Sequence, residues 1–121
     1  MKESIKKANK RFVEVAKNIG EVVSIISYGS VARDEGGEGS DVDLLVLLSR
    51  NSGNEWKLLE AAAEVGSETM ELINPFIATM DEFIDNLKLH NPFALNIVKE
   101  GRVLYGRKSW ERILAHAPSV S

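Results

Sequence analysis

The sequence predicts an α/β (α+β) protein, a small mixed β-sheet flanked by helices. Two short runs, 22–28 and 41–48, are apolar on both faces and have the length of buried strands. Around them, apolar residues recur at the three- and four-residue steps of helices. Two helix-start signals, S-x-x-E at 52–55 and T-x-x-E at 79–82, mark the changes of period.

Taken in order, Ile5, Ala8, Phe12, Val15 and Ile19 share one helical face, so 2–19 reads as an amphipathic helix ended by Gly20. The β-branched run 22–28 is a strand, broken by Gly29-Ser30, and 30–34 opens a short helix. A glycine-rich loop leads into the strand 41–48. Ser52 and Glu55 form a capping box that launches a helix through Val65. Residues 68–78 read as a third strand, and Pro75 inside it argues that this strand or its end lies at an edge. Thr79 and Glu82 start a helix through about Leu89; 91–100 is a further helix after Pro92, stopped by Gly101. A short strand at 103–105 and a helix at 109–116 complete the chain.

At 121 residues and 13.4 kDa, with no linker and no repeat, 1–121 is expected to be a single domain. The absence of cysteine excludes disulfides and thiolate metal sites. The longest apolar run is too short to span a bilayer, and MKESIKKANKRF lacks the apolar core of a secretory signal. A cytoplasmic protein with no membrane partner is the expectation. A net charge of −3 argues against a general nucleic-acid binder, although the first helix gathers Lys2, Lys6, Lys7, Lys10, Arg11 and Lys17. Such a helix is either a solvated face or a surface for an acidic partner. His90 and His116 lack metal-ligand spacing, and Trp56 and Trp110 sit in helical segments as packing residues.

The stretch GSVARDEGGEGSDVDLLVLL, residues 29–48, carries the chemistry. Residues two apart on a strand project to one face, so Asp41 and Asp43 point together with Cα atoms about 6.6 Å apart. Their mutual repulsion is about 2.5 kcal/mol at an effective dielectric near 20 and about 0.6 in bulk water. Either the pair sits at a wet strand end, or a divalent cation lies between the carboxylates. Upstream, a strand running through Gly29-Ser30 into a helix presents backbone N–H groups to an anion. Gly29 admits a phosphate close to the backbone and Ser30 adds a hydroxyl. An anion cradle joined by one loop to a cation site forms the two halves of a nucleotide–metal site.

G-S-x-A-R followed by S-D-x-D-L-L-V resembles the signature of the polymerase-beta-like nucleotidyltransferases, and most nearly the minimal nucleotidyltransferases (MNT) that accompany HEPN-domain toxins. Gly29, Ser30, Ala32, Arg33, Ser40, Asp41, Asp43 and Leu44 fall on family positions, and ELINPFIA and EGRVLYG resemble its later strands. The resemblance implies the nucleotidyltransferase fold, transfer of a nucleoside monophosphate (AMP from ATP), and two Mg²⁺ ions on three acidic ligands. Asp41 and Asp43 are the first two. The third falls in Met70-Glu71-Leu72-Ile73, so Glu71 is expected as ligand or base, ahead of Glu68. Gly29, Ser30, Arg33 and Ser40 are the expected nucleotide-binding residues, with Arg33 either on phosphate or ion-paired to Asp34, Glu35 or Asp41. Glutamate for the third aspartate, and Asp34 where the family has glycine, are departures.

The expected activity is therefore Mg²⁺-dependent transfer of AMP to a hydroxyl of a partner protein, as the antitoxin of a HEPN toxin. Two alternatives stand beside it: a catalytically weakened antitoxin that acts by binding, and a small-molecule nucleotidyltransferase whose acceptor pocket needs a homo-oligomer. No R-x4-6-H ribonuclease motif is present, so any toxin is another chain.

Overall fold

The computed structural model describes residues 2–32 and 41–118. Its elements run α1 (Glu3–Ala16), β1 (Val22–Tyr28), α2 (Gly29–Ala32), β2 (Val42–Leu48), α3 (Trp56–Thr69), β3 (Ile73–Thr79), α4 (Met80–Lys88), α5 (Pro92–Glu100), β4 (Arg102–Tyr105) and α6 (Arg107–Leu114). Among the described residues four strands form one sheet in the order β3-β2-β1-β4. β1 runs antiparallel to both β2 and β4, and β2 runs parallel to β3, so the sheet is mixed.

Strand alternation sorts the core into two layers. Val42, Leu44, Val46 and Leu48 pack with Phe12 of α1 and Leu58 and Val65 of α3. Leu45 and Leu47 face the other way, onto Phe83, Leu87, Ile97 and Trp110 of α4, α5 and α6. With both faces covered, β2 has no polar side, hence its unbroken LLVLL. Each fully buried leucine contributes about 1.5–3 kcal/mol.

Local chemistry explains most boundaries. Thr79 caps α4 with both halves of a capping box: Glu82 N–H donates to its hydroxyl and its own N–H donates to Glu82 Oε1. Asn91 Oδ1 accepts from Ala94 N–H, and Pro92 occupies the first turn of α5. Pro75 is accommodated because β3 is a terminal strand.

Several boundaries depart from expectation: α1 ends at Ala16 rather than 19, α6 spans Arg107–Leu114 rather than 109–116, and the largest shifts are around α3. Only half of the box at Ser52 forms: Ser52 N–H donates to Glu55 Oε1, but Ser52 Oγ takes Asn54 N–H, and α3 starts at Trp56. α3 then runs past Val65 to Thr69, into the span expected to be strand. Met70 closes it in a left-handed conformation (φ 59°), and β3 begins only at Ile73. Trp56 is also a surface residue, 55% exposed with Lys57 over its ring, whereas Trp110 is buried. Among the described residues no helix is long and apolar enough to cross a membrane.

Candidate active site

The register of the sheet builds the site. Asp43 stands opposite Tyr28 on one side and Asn74 on the other. Because Val42 and Leu44 face α1 and α3, Asp41 and Asp43 face the layer of α4 and α5. Asn74 Nδ2 donates to Asp43 Oδ1 at 3.2 Å. The other oxygen lies against the β1–α2 bend: a Cβ built on Gly29 would sit 2.6 Å from Asp43 Oδ2. Gly29 also has φ +81°, which a side chain disfavours. Bend and carboxylate are therefore in direct contact.

Electrostatics mark the same spot. Burial raises the Asp43 pKa above its ordinary value, the Asn74 hydrogen bond opposes this, and the charge of Asp41 adds to the rise. Burial, and then the Asp43 carboxylate, push the Tyr28 phenol up to about 12. It stays protonated at neutral pH and is no nucleophile.

A divalent cation fits this donor set. Asp41 and Asp43 supply hard oxygens, and a cation offsets both the burial and the like charge that disfavour the Asp43 anion.

Glu71 is not brought to the pair. Its carboxylate accepts from Ser4 Oγ at 2.6 Å and ion-pairs with Lys2 Nζ at 3.1 Å, at the start of α1, which lies under the opposite face of the sheet. These partners lower its pKa, the Ser4 hydrogen bond most. The cause lies in the left-handed Met70, after which Glu71 N–H turns back to Gly66 carbonyl at 3.2 Å. Glu68 is likewise bound to Arg11 of α1. The residue that shares the Asp43 face on β3 is Asn74. Among the described residues no three His, Cys, Asp or Glu side chains cluster as a metal site.

Ser30 stands half-buried next to Gly29 in α2. Arg33 and Ser40, with Asp34, Glu35 and Glu38, lie outside the described residues. Sequence reasoning missed two neighbours. Glu100, at the end of α5, accepts the Gly29 N–H on Oε1 at 3.2 Å. Phe93 stacks edge-on against Tyr28 (5.6 Å) and Phe76 (5.1 Å), forming a half-exposed aromatic wall on the face of Asn74. A glutamate before a helix-stopping glycine gave no sign of reaching the bend, and the wall exists only through sheet register.

Residues 10–109 match the family described as Polymerase beta, Nucleotidyltransferase. A candidate protein adenylyltransferase of Methanocaldococcus jannaschii is 31% identical over 101 residues, 82% of this chain and 96% of that protein. In shape the chain is similar to one in a crystal structure of a toxin–antitoxin with AMP-PNP: TM-score 0.62, 18% identity, 88% of this chain and 81% of that one. It is also similar to a chain in the structure of the tri-AMPylated Shewanella oneidensis HEPN toxin with its MNT antitoxin. There the TM-score is 0.56 at 16% identity, over 92% of this chain and 81% of that one. At these identities the two structures speak for the fold.

Proposed function

Because the chain belongs to the polymerase beta nucleotidyltransferase family, we propose that it transfers AMP from ATP to a hydroxyl of a partner protein, a HEPN-domain toxin that it silences as antitoxin. The observation that carries this reading is the contact between the Gly29 bend and the Asp43 carboxylate. It sets the bend beside the cation site; a triphosphate on the bend takes the Gly29 N–H from Glu100 Oε1, its acceptor in this structure. The M. jannaschii relative supports a protein acceptor, and the two toxin–antitoxin structures support the nucleotide and the class of partner.

In the proposed site the triphosphate tail lies on the bend, with Ser30, Arg33 and Ser40 as its further contacts. Asp41 and Asp43 would hold one Mg²⁺, which when bound would neutralise charge on the transferring phosphoryl group and the leaving diphosphate. The acceptor hydroxyl releases its proton to solvent, its oxygen bonds to the α-phosphorus as the bond from that phosphorus to the bridging oxygen breaks, and pyrophosphate departs. In-line displacement puts attacker and leaving group on opposite sides. With the tail on the β1 side, the acceptor approaches from the β3 side, across Asn74, Phe76 and Phe93. A second ion calls for a further carboxylate, and no described acid other than Asp41 and Asp43 supports one.

The engagement of Glu71 by Ser4 and Lys2 favours a second reading, an antitoxin that protects by covering its partner. The two separate cleanly. Purified protein, Mg²⁺ and α-labelled ATP are incubated with the protein encoded beside it. Label on that partner, lost with Asp41→Asn/Asp43→Asn, supports transfer. No label, together with full protection of cells by the double variant, assigns the binding role.

A further inference from the structure

The basic face of α1, unused by the site, borders a groove of about 570 Å³ between α1 and β4. β4 is a terminal strand of the sheet, so its outer edge carries backbone donors and acceptors with no strand beyond it among the described residues. Val13, Val103 and Leu104 give the groove apolar walls, and Lys6, Lys10 and Arg102 give it cations. Its acid, Glu14, is already bound to Arg11 at 3.1 Å. Lys10 makes no ion pair among the described residues, and Lys6 only a loose, exposed one to Glu3 at 3.6 Å. In a chain of net charge −3 this is a local positive strip.

Asn9 lines the same groove, is 7% exposed, and its Oδ1 has no hydrogen-bond partner. That oxygen is closed off beneath the groove floor; what the groove offers a partner is the sheet edge, whose backbone groups are complementary to an added strand.

We propose that the α1–β4 groove binds an extended acidic segment of a partner polypeptide, laid along β4 as an added strand, with its carboxylates on Lys6 and Lys10. Charge complementarity selects an acidic occupant, and the strand edge selects polypeptide over nucleic acid. The groove lies under the face opposite Asp43, so an occupant leaves the carboxylates open. It still reaches the site's vicinity, because Arg102 stands opposite Ser27, shortly before the Gly29 bend. This docking surface is independent of any transfer activity.

The test uses the full chain and a fluorescent peptide of alternating glutamate and valine, read by anisotropy and by backbone amide shifts. The peptide is expected to bind with an affinity that falls with salt, and to shift the amides of Asn9, Val103 and Leu104. Lys6→Glu/Lys10→Glu is expected to weaken binding roughly tenfold or more. Lys57→Glu/Lys88→Glu, the same charge change on α3 and α4, changes it by less than about twofold. No binding, equal weakening by the two charge-reversal variants, shifts centred elsewhere, or displacement of the peptide by single-stranded oligoadenylate would each overturn the proposal.

Discussion

Gly29 and Asp43 are in contact across the β1–β2 ladder, with room for a hydrogen on Gly29 and for nothing larger: a Cβ there would stand 2.6 Å from Asp43 Oδ2. Gly29→Ala meets two penalties at once. The left-handed φ of +81° costs an alanine about 1–2 kcal/mol. The methyl also displaces the carboxylate, and a shift near 1 Å at a reacting centre costs about 100-fold in rate. The expected result is a modest fall in melting temperature with a much larger fall in AMP transfer. A loss of transfer no greater than the loss of folded protein would contradict the role given to that contact.

Asp43→Asn separates stability from activity. The Asp43 pKa is raised above its ordinary 3.8, by burial first. Between the unfolded and folded values the native state binds more protons than the unfolded one, so stability falls as pH rises through that window. Above it, Asp43 is a standing cost to the fold. The asparagine variant removes that cost and still accepts from Asn74, so at neutral pH it melts higher than the parent while transfer is abolished. Melting curves from acid to neutral pH read the difference, which disappears below the ordinary aspartate range.

Most of the fold was legible because its signals are local. The strands at 22–28 and 41–48, the Thr79–Glu82 box and the Asn91–Pro92 start need only nearest neighbours to be recognised. The end of α3 was not legible: its left-handed terminator is Met70 rather than glycine, so no residue type announced it, and the shift of β3 carried Glu71 off the expected face. Asn74 and Phe76 acquire meaning only from the parallel register with β2, which follows from tertiary pairing rather than pattern. Asp41, Asp43 and Gly29 stood out because two like charges on an apolar strand next to a glycine bend make little sense without a ligand.

Glu71→Gln tests the reassignment of that residue to structure. Its pKa is lowered from 4.5, by Ser4 and then Lys2, so its contribution to stability is present above the unfolded value and lost as pH falls through the folded one. The glutamine variant is expected to melt lower at neutral pH, by the equivalent of less than about 1 kcal/mol, since Lys2 is half exposed. The gap to the parent closes in acid. Transfer per folded molecule is unchanged. A loss of activity well beyond the loss of stability would restore Glu71 to the site.

Asn74→Asp asks whether the missing third carboxylate belongs at 74. The side chain already reaches Asp43 Oδ1 at 3.2 Å on the shared face, and aspartate keeps its length and shape. Without Mg²⁺, a third carboxylate beside Asp41 and Asp43 replaces a hydrogen-bond donor with a like charge, raising the Asp43 pKa further and lowering the melting temperature. With Mg²⁺ the same change adds a hard oxygen ligand, so stabilisation by the ion grows according to the free-ligand relation. The expected signature is a crossover: Asn74→Asp is less stable than the parent in chelator and gains more from millimolar Mg²⁺, with faster AMP transfer. Equal Mg²⁺ response in both proteins would show that position 74 lies out of reach of the ion.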